Sequence, residues 1–184
     1  NEVKACGLLE HLRLTPRSVA HDEELNLALF EWVDGEVPGT IETTHIDQAL
    51  AFVKILKKFS EGFQNEFPEA SEACLSGAEL FFQVQERIRK LESINNLELQ
   101  NFLQTSIKPL WDEIQEWSES KWPAVSFGKE LTQSKQMLSP SDFGFHNSLQ
   151  RIDGSLCFID LEYFGRDDPV KLIADFLWHP AMDL

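Results

Sequence analysis

Apolar residues recur at helical spacing in five stretches of the chain. Residues 2–13 place Val3, Cys6, Leu9 and Leu12 on one stripe, and residues 44–59 do the same with Ile46, Ala49, Leu50, Val53 and Leu56. Residues 77–92 carry Phe81, Val84, Ile88 and Leu91, and Ser76 with Glu79 has the spacing of a capping box. Residues 97–117 carry Leu99, Leu103, Ile107, Leu110, Ile114 and Trp117, and Pro109 is expected to kink or split that helix. Residues 170–178 close the series, while Pro68 and Trp122-Pro123 mark breaks between helices.

Strand signals are fewer. Residues 25–33 (LNLALFEWV) alternate, then turn continuously apolar. They read as a strand stopped by Asp34-Gly35 and Pro38-Gly39, after a turn-like stretch at 15–24. Beyond residue 137 the texture changes to a Ser-, Gly- and Pro-containing loop, LSPSDFGFHNSL. Two short strands follow, 148–151 and 156–159, joined at Asp153-Gly154. A second loop, 160–169, leads into the last helix.

With 184 residues, 42% of them hydrophobic, the chain has material for one domain or one large lobe with a packed core. Its net charge of −15 disfavours a nucleic-acid partner. A nucleotide would need a divalent cation beside it, whereas a cationic co-substrate would be attracted. Three cysteines, far apart and without a CxxC, argue against a disulfide framework or zinc site and fit a reducing, cytoplasmic compartment. No run approaches the ~20 apolar residues of a membrane helix, so no membrane partner is expected. The start at Asn1 and the finish at Leu184 both read as cut ends.

Chemistry concentrates after residue 137. Phosphoryl transfer needs a carboxylate near the attacking hydroxyl and oxygen ligands for Mg²⁺. Asp142 and Asn147 stand five positions apart in SDFGFHN, and Asp160 ends the following hairpin in FIDLE. Taken singly, each has an ordinary reading, since Asp and Asn are common turn and capping residues.

Together, SDFGFHN and FIDLEYFG resemble the catalytic and metal loops of the aminoglycoside phosphotransferase and choline kinase family, relatives of the protein kinases. LFEWVDG at 29–35 is similar to their hinge. The resemblance implies an α+β, protein-kinase-like fold: a helical C-terminal lobe with a short catalytic β-hairpin, and a remnant of the small β lobe. It implies residues 1–35 as partial N-terminal lobe and hinge, and 36–184 as the catalytic lobe. Asp142 would be the catalytic base, and Asn147 and Asp160 the Mg²⁺ ligands. Phe30, Glu31 and Trp32 would contact adenine, mainly through backbone. Glu2 is placed like the glutamate that pairs with the phosphate-binding lysine, and Glu162 like a further group near the metal.

Two departures stand out. Pro140 occupies the position of a loop-bracing His, two residues before Asp142. Lys4, the lone lysine of the first fifty residues, lies inside the first helix, and no glycine-rich phosphate loop precedes it, so the start of the N-terminal lobe is expected to be missing. The expected function is ATP- and Mg²⁺-dependent transfer of phosphate to a hydroxyl of an amino sugar, sugar or amino alcohol. The alternative is a kinase-like module that binds nucleotide or a partner without transfer. His146 is expected to play a structural or supporting part and not that of a ligand, and His179 an ordinary one. Asp167-Asp168 reads as a helix start, and Asp175 either braces the catalytic loop or faces water. Trp111, Trp117 and Trp122 read as packing, with a cation-binding pocket as the sharper option.

Overall fold

A computed structural model describes residues 1–181, the side chain of Gln64 excepted. The fold is α+β. Its helices are α1 (Glu2–Leu9), α2 (Thr43–Phe63), α3 (Gly77–Glu92), α4 (Leu97–Phe102), α5 (Lys108–Lys121), α6 (Ala124–Phe127) and α7 (Pro169–Trp178). Its strands are β1 (Ser18–Asp22), β2 (Leu27–Phe30), β3 (Met137–Ser139), β4 (Ser148–Gln150), β5 (Leu156–Phe158) and β6 (Gly165–Asp167). They pair antiparallel as β1–β2, β3–β6 and β4–β5. Two compact units result: Asn1–Ala73 with the chain from Thr132 onward, and Cys74–Leu131.

The first unit is built on α2. Its apolar stripe buries Ala49, Phe52 and Leu56 against Leu138, Phe143, Leu156, Phe158 and Phe164. Polar groups fix the register of what packs there. Ser60 Oγ donates to Leu56 O at 2.7 Å and accepts from Leu138 N–H at 2.8 Å, so β3 is tied to the helix without an orphaned buried hydroxyl. Gln48 grips the β4–β5 hairpin from both sides, accepting from Leu156 N–H at 2.8 Å and donating to Gly154 O at 3.0 Å. Gly154, at φ +81°, makes the hairpin turn as its sequence indicates.

Three expectations need correction. The stretch 15–24 is not a plain turn, because it contains β1, and the strand read at 25–33 is β2, confined to Leu27–Phe30. The turn sits between them, closed by Asn26 at φ +50°. The ribbon exposes Val19, Leu27 and Leu29, and β1, with no buried face, carries no alternation by which a strand is recognised. Likewise the loop at 138–149 overlaps β3 and that at 160–169 contains β6, strands of three residues each, whose pairing is long-range and carries no local signal.

In the second unit, α3 begins where the capping box places it. Ser76 accepts from Glu79 N–H, and the Glu79 carboxylate takes the N–H of Leu75, one residue earlier than the ideal box. The helix read over 97–117 is divided near Pro109 into α4 and α5. A π-helical turn at Leu103–Ile107 precedes the proline, with Lys108 N–H reaching back to Leu103 O. The wider turn moves the upstream carbonyls away from the proline ring.

Candidate active site

The loop between β3 and β4 sends two aromatic side chains inward. Phe143 and Phe145 are buried, and Phe143 packs on Phe52, Phe158 and Phe176 with ring centroids 5.6, 5.4 and 5.1 Å apart. Phe145 meets Phe176 edge-on at 5.5 Å. These rings from α2, β5 and α7 form a floor, and Asp142, His146 and Asn147 stand above it, each partly exposed.

Pro140, at the position of the expected bracing His, is fully buried. Asp142 N–H donates to Pro140 O at 3.0 Å across Ser141, which takes φ +70°, and Ser139 Oγ accepts Ser141 N–H at 3.0 Å. This is a γ-turn of the positive-φ kind, a strained form. Proline fixes its approach and thereby the direction of Asp142.

Three groups converge on Asp142. Asn147 Nδ2 donates to its backbone oxygen at 3.0 Å and to Oδ2 at 3.1 Å. His146 Nε2 lies 3.0 Å from Oδ1, and His179 Nε2, just beyond α7, lies 3.5 Å from the same oxygen. The two imidazoles stack at 4.2 Å and 7°. Sequence reasoning gave His146 a structural part without naming its partner, and it missed His179, which no spacing rule connects to a loop so far upstream. The trio offers donor atoms within 4.8 Å of one another, a spacing compatible with a metal. The His179 Nδ1 accepts Ala181 N–H at 3.2 Å, however, so a neutral ring carries its proton on Nε2 and donates toward Asp142. The cluster therefore orients a carboxylate, with His146 and His179 both facing Oδ1.

The hairpin brings Asp160 to this loop. Ile159 N–H donates to Asn147 O at 2.9 Å, one residue beyond the Ser148–Phe158 pair, so Asn147 and the Ile159–Asp160 step face each other. Asp160 takes φ +60°. Burial pushes its carboxyl above the ordinary range, and Glu162 and Asp142 add to the rise while His146 opposes it. Glu2, from the start of α1, accepts Leu161 N–H at 3.3 Å. It too is raised, first by burial, then by Asp160 and Glu162, against the pull of that hydrogen bond. Crowded carboxyls with raised proton affinity are a set that a hard divalent cation would relieve. The Asn147 amide nitrogen is engaged by Asp142, which leaves its oxygen as the atom to meet a cation. The residues fit Mg²⁺.

The remaining sequence candidates lie apart from this cluster. Glu31 N–H donates to Arg17 O at 2.9 Å and its carboxylate pairs with Arg17, while Trp32 is exposed and its Nε1 donates to Asp34 at 3.0 Å. Phe30 packs against the core. Lys4 pairs with Glu66 and lies over the Phe67 ring at 4.7 Å, which accounts for it without a phosphate. Asp175 pairs with Lys171 at 2.6 Å, as does fully buried Asp167 at 3.3 Å, locking β6 to α7. Burial alone would lower the Lys171 pKa; the two carboxylates outweigh it and raise it. Asp168 caps α7 by accepting Val170 N–H.

Among solved structures, the chain is similar to an ethanolamine kinase of Plasmodium vivax, at 14% identity and a TM-score of 0.52 over 94% of this chain. It is also similar to a choline kinase from Cryptosporidium parvum, at 17% identity and a TM-score of 0.54 over 95%. The fold is protein-kinase-like. The chain spans about half of each of these structures, 47% and 50% of their lengths. No family model matches the sequence, and no curated protein matches it. Among the described residues no helix is long and apolar enough to cross a membrane.

Proposed function

We propose that the chain carries the catalytic centre of a small-molecule kinase, which moves the terminal phosphate of ATP to a hydroxyl of an amino alcohol, sugar or amino sugar in the cytoplasm. The observation that carries this reading is the convergence of Asp142, Asn147 and Asp160 through one hairpin register. Asp142, held by Asn147, His146 and His179, accepts the acceptor hydroxyl's proton as its oxygen attacks phosphorus. Asn147 and Asp160 would hold Mg²⁺, which supplies neutralisation of the phosphate oxygens when bound. Residues 1–35 would contribute to the nucleotide side, Phe30 and Trp32 with the Glu31 backbone facing adenine and Glu2 standing behind the metal loop; residues 36–184 would carry the chemistry. The amino alcohols named for the structural neighbours, choline and ethanolamine, come first in an acceptor screen, and the net charge of −15 favours such cations.

The test measures the unfolding midpoint of the full natural protein with and without Mg²⁺-ATP, together with phosphate transfer to the acceptor panel. A ligand at 100 times its Kd stabilises by about 2.7 kcal/mol. The native protein is expected to shift and Asp160→Asn to shift much less, with Asp142→Ala binding nucleotide but losing turnover. Near-normal turnover in Asp142→Ala would overturn the base assignment. A second reading, a nucleotide- or partner-binding module without transfer, is favoured by the engagement of Lys4 elsewhere. Under it, Asp142→Ala behaves as the native protein does and no acceptor is phosphorylated.

A further inference from the structure

The Cys74–Leu131 unit contains a cavity of about 620 Å³ that the phosphotransfer chemistry does not use. Its volume falls in the range of small-molecule sites. Small side chains create it: Ala78 on α3, Ser118 on α5 and Ala124 on α6 face a space that larger residues would fill. Phe81, Trp122 and Phe127 form an aromatic wall. The Phe127 ring meets Phe81 edge-on at 5.0 Å and Trp122 at 5.4 Å and 90°. Phe127 is held there by α3, where a Cβ on Gly77 would lie 2.7 Å from the ring.

The polar lining is sparse and one-signed. Glu119 is the single charged residue among those that line the cavity; Lys and Arg contribute none, and the other polar groups are neutral amides and the Ser118 hydroxyl. Glu119 is exposed while Ser118 is buried, which puts the charge at the mouth. An anionic ligand would find no counter-charge, whereas a cationic head would gain both the carboxylate at the mouth and the faces of the rings.

We propose that this cavity binds a small organic monocation, an ammonium with an aromatic or alkyl body. The body lies against Phe81, Trp122 and Phe127, and the ammonium meets the Glu119 carboxylate. The site is independent of the phosphotransfer reading, and its test separates the two.

The experiment titrates the full natural protein with 2-phenylethylammonium and, separately, with 2-phenylethanol, which has the same body without charge. Calorimetry gives affinity, and the Trp122 indole N–H resonance reports the place. The ammonium is expected to bind about tenfold more tightly than the alcohol. Glu119→Gln should cut that preference to about threefold, the share left to the ring faces, and Ala124→Phe should abolish both. Should Ala124→Phe fail to fold, the surface change Glu119→Gln carries the test alone. Equal affinities in the native protein, an unchanged preference in Glu119→Gln, or loss of binding in Asp142→Ala would each overturn the proposal. Retained ammonium binding without any response to Mg²⁺-ATP would support it while counting against the kinase reading.

Discussion

Replacing Gly165 by alanine places a methyl group where the fold has no room. The new Cβ would stand 2.5 Å from Ala70 N and 2.7 Å from Ala70 Cα and Glu69 C. These are backbone atoms, so no side chain can rotate away. Either β6 or the 68–70 segment must move, and two hydrogen bonds join them: Ala70 N–H to Arg166 O at 3.0 Å and Arg166 N–H to Pro68 O at 2.8 Å. Overpacking costs about 1–3 kcal/mol, and each weakened bond about 0.5–1.5 kcal/mol. A loss of at least ~2 kcal/mol follows, or a fall of at least about 5 °C in the unfolding midpoint. Gly7 supplies the control. It is exposed on α1, where an added Cβ meets nothing within 4 Å. Gly7→Ala should therefore stabilise the protein by about 0.5–1 kcal/mol through helix propensity. The assay is denaturant unfolding of both variants, with the denaturant slope unchanged. A Gly165→Ala midpoint within about 1 °C of the native value, or shifts of the same sign in both variants, would refute the reasoning.

Two further outcomes are expected. Glu2 and Asp160 have carboxyls raised in the folded state, so the native protein binds their protons more tightly than the unfolded chain, and their contribution to stability falls as pH rises through the raised values. In metal-free buffer, Asp160→Asn should be more stable than the native protein at neutral pH. The difference should shrink toward pH ~4, where both side chains are uncharged; a constant difference across that window contradicts the assignment. The three cysteines are buried thiols; burial first and then Glu2 push Cys6 up to about 12, and burial raises Cys157. An aromatic disulfide reagent should leave them untouched in native buffer and titrate all 3 in guanidinium, and fast native reaction at Cys6 would contradict the packing of α1.

The sequence by itself determined what rests on local periodicity and turn chemistry. The helices over 2–13, 44–59, 77–92 and 170–178 stand where apolar spacing places them, because one face of each has a core to meet. Gly154 turns its hairpin and Ser76 caps α3. Tertiary structure decided the rest. The β3–β6 pair is three residues long on each side and forms through contacts distant in sequence, so neither strand announces itself. Strand β2 was legible in its alternation, whereas β1, with no buried residue, was not. The brace on Asp142 was hidden for the same reason. A proline stands where a histidine was expected, and the histidines that meet the carboxylate come from the loop's own far end and from beyond α7. A sequence pattern records which side chains a segment offers; only the packed chain decides which distant segments they meet.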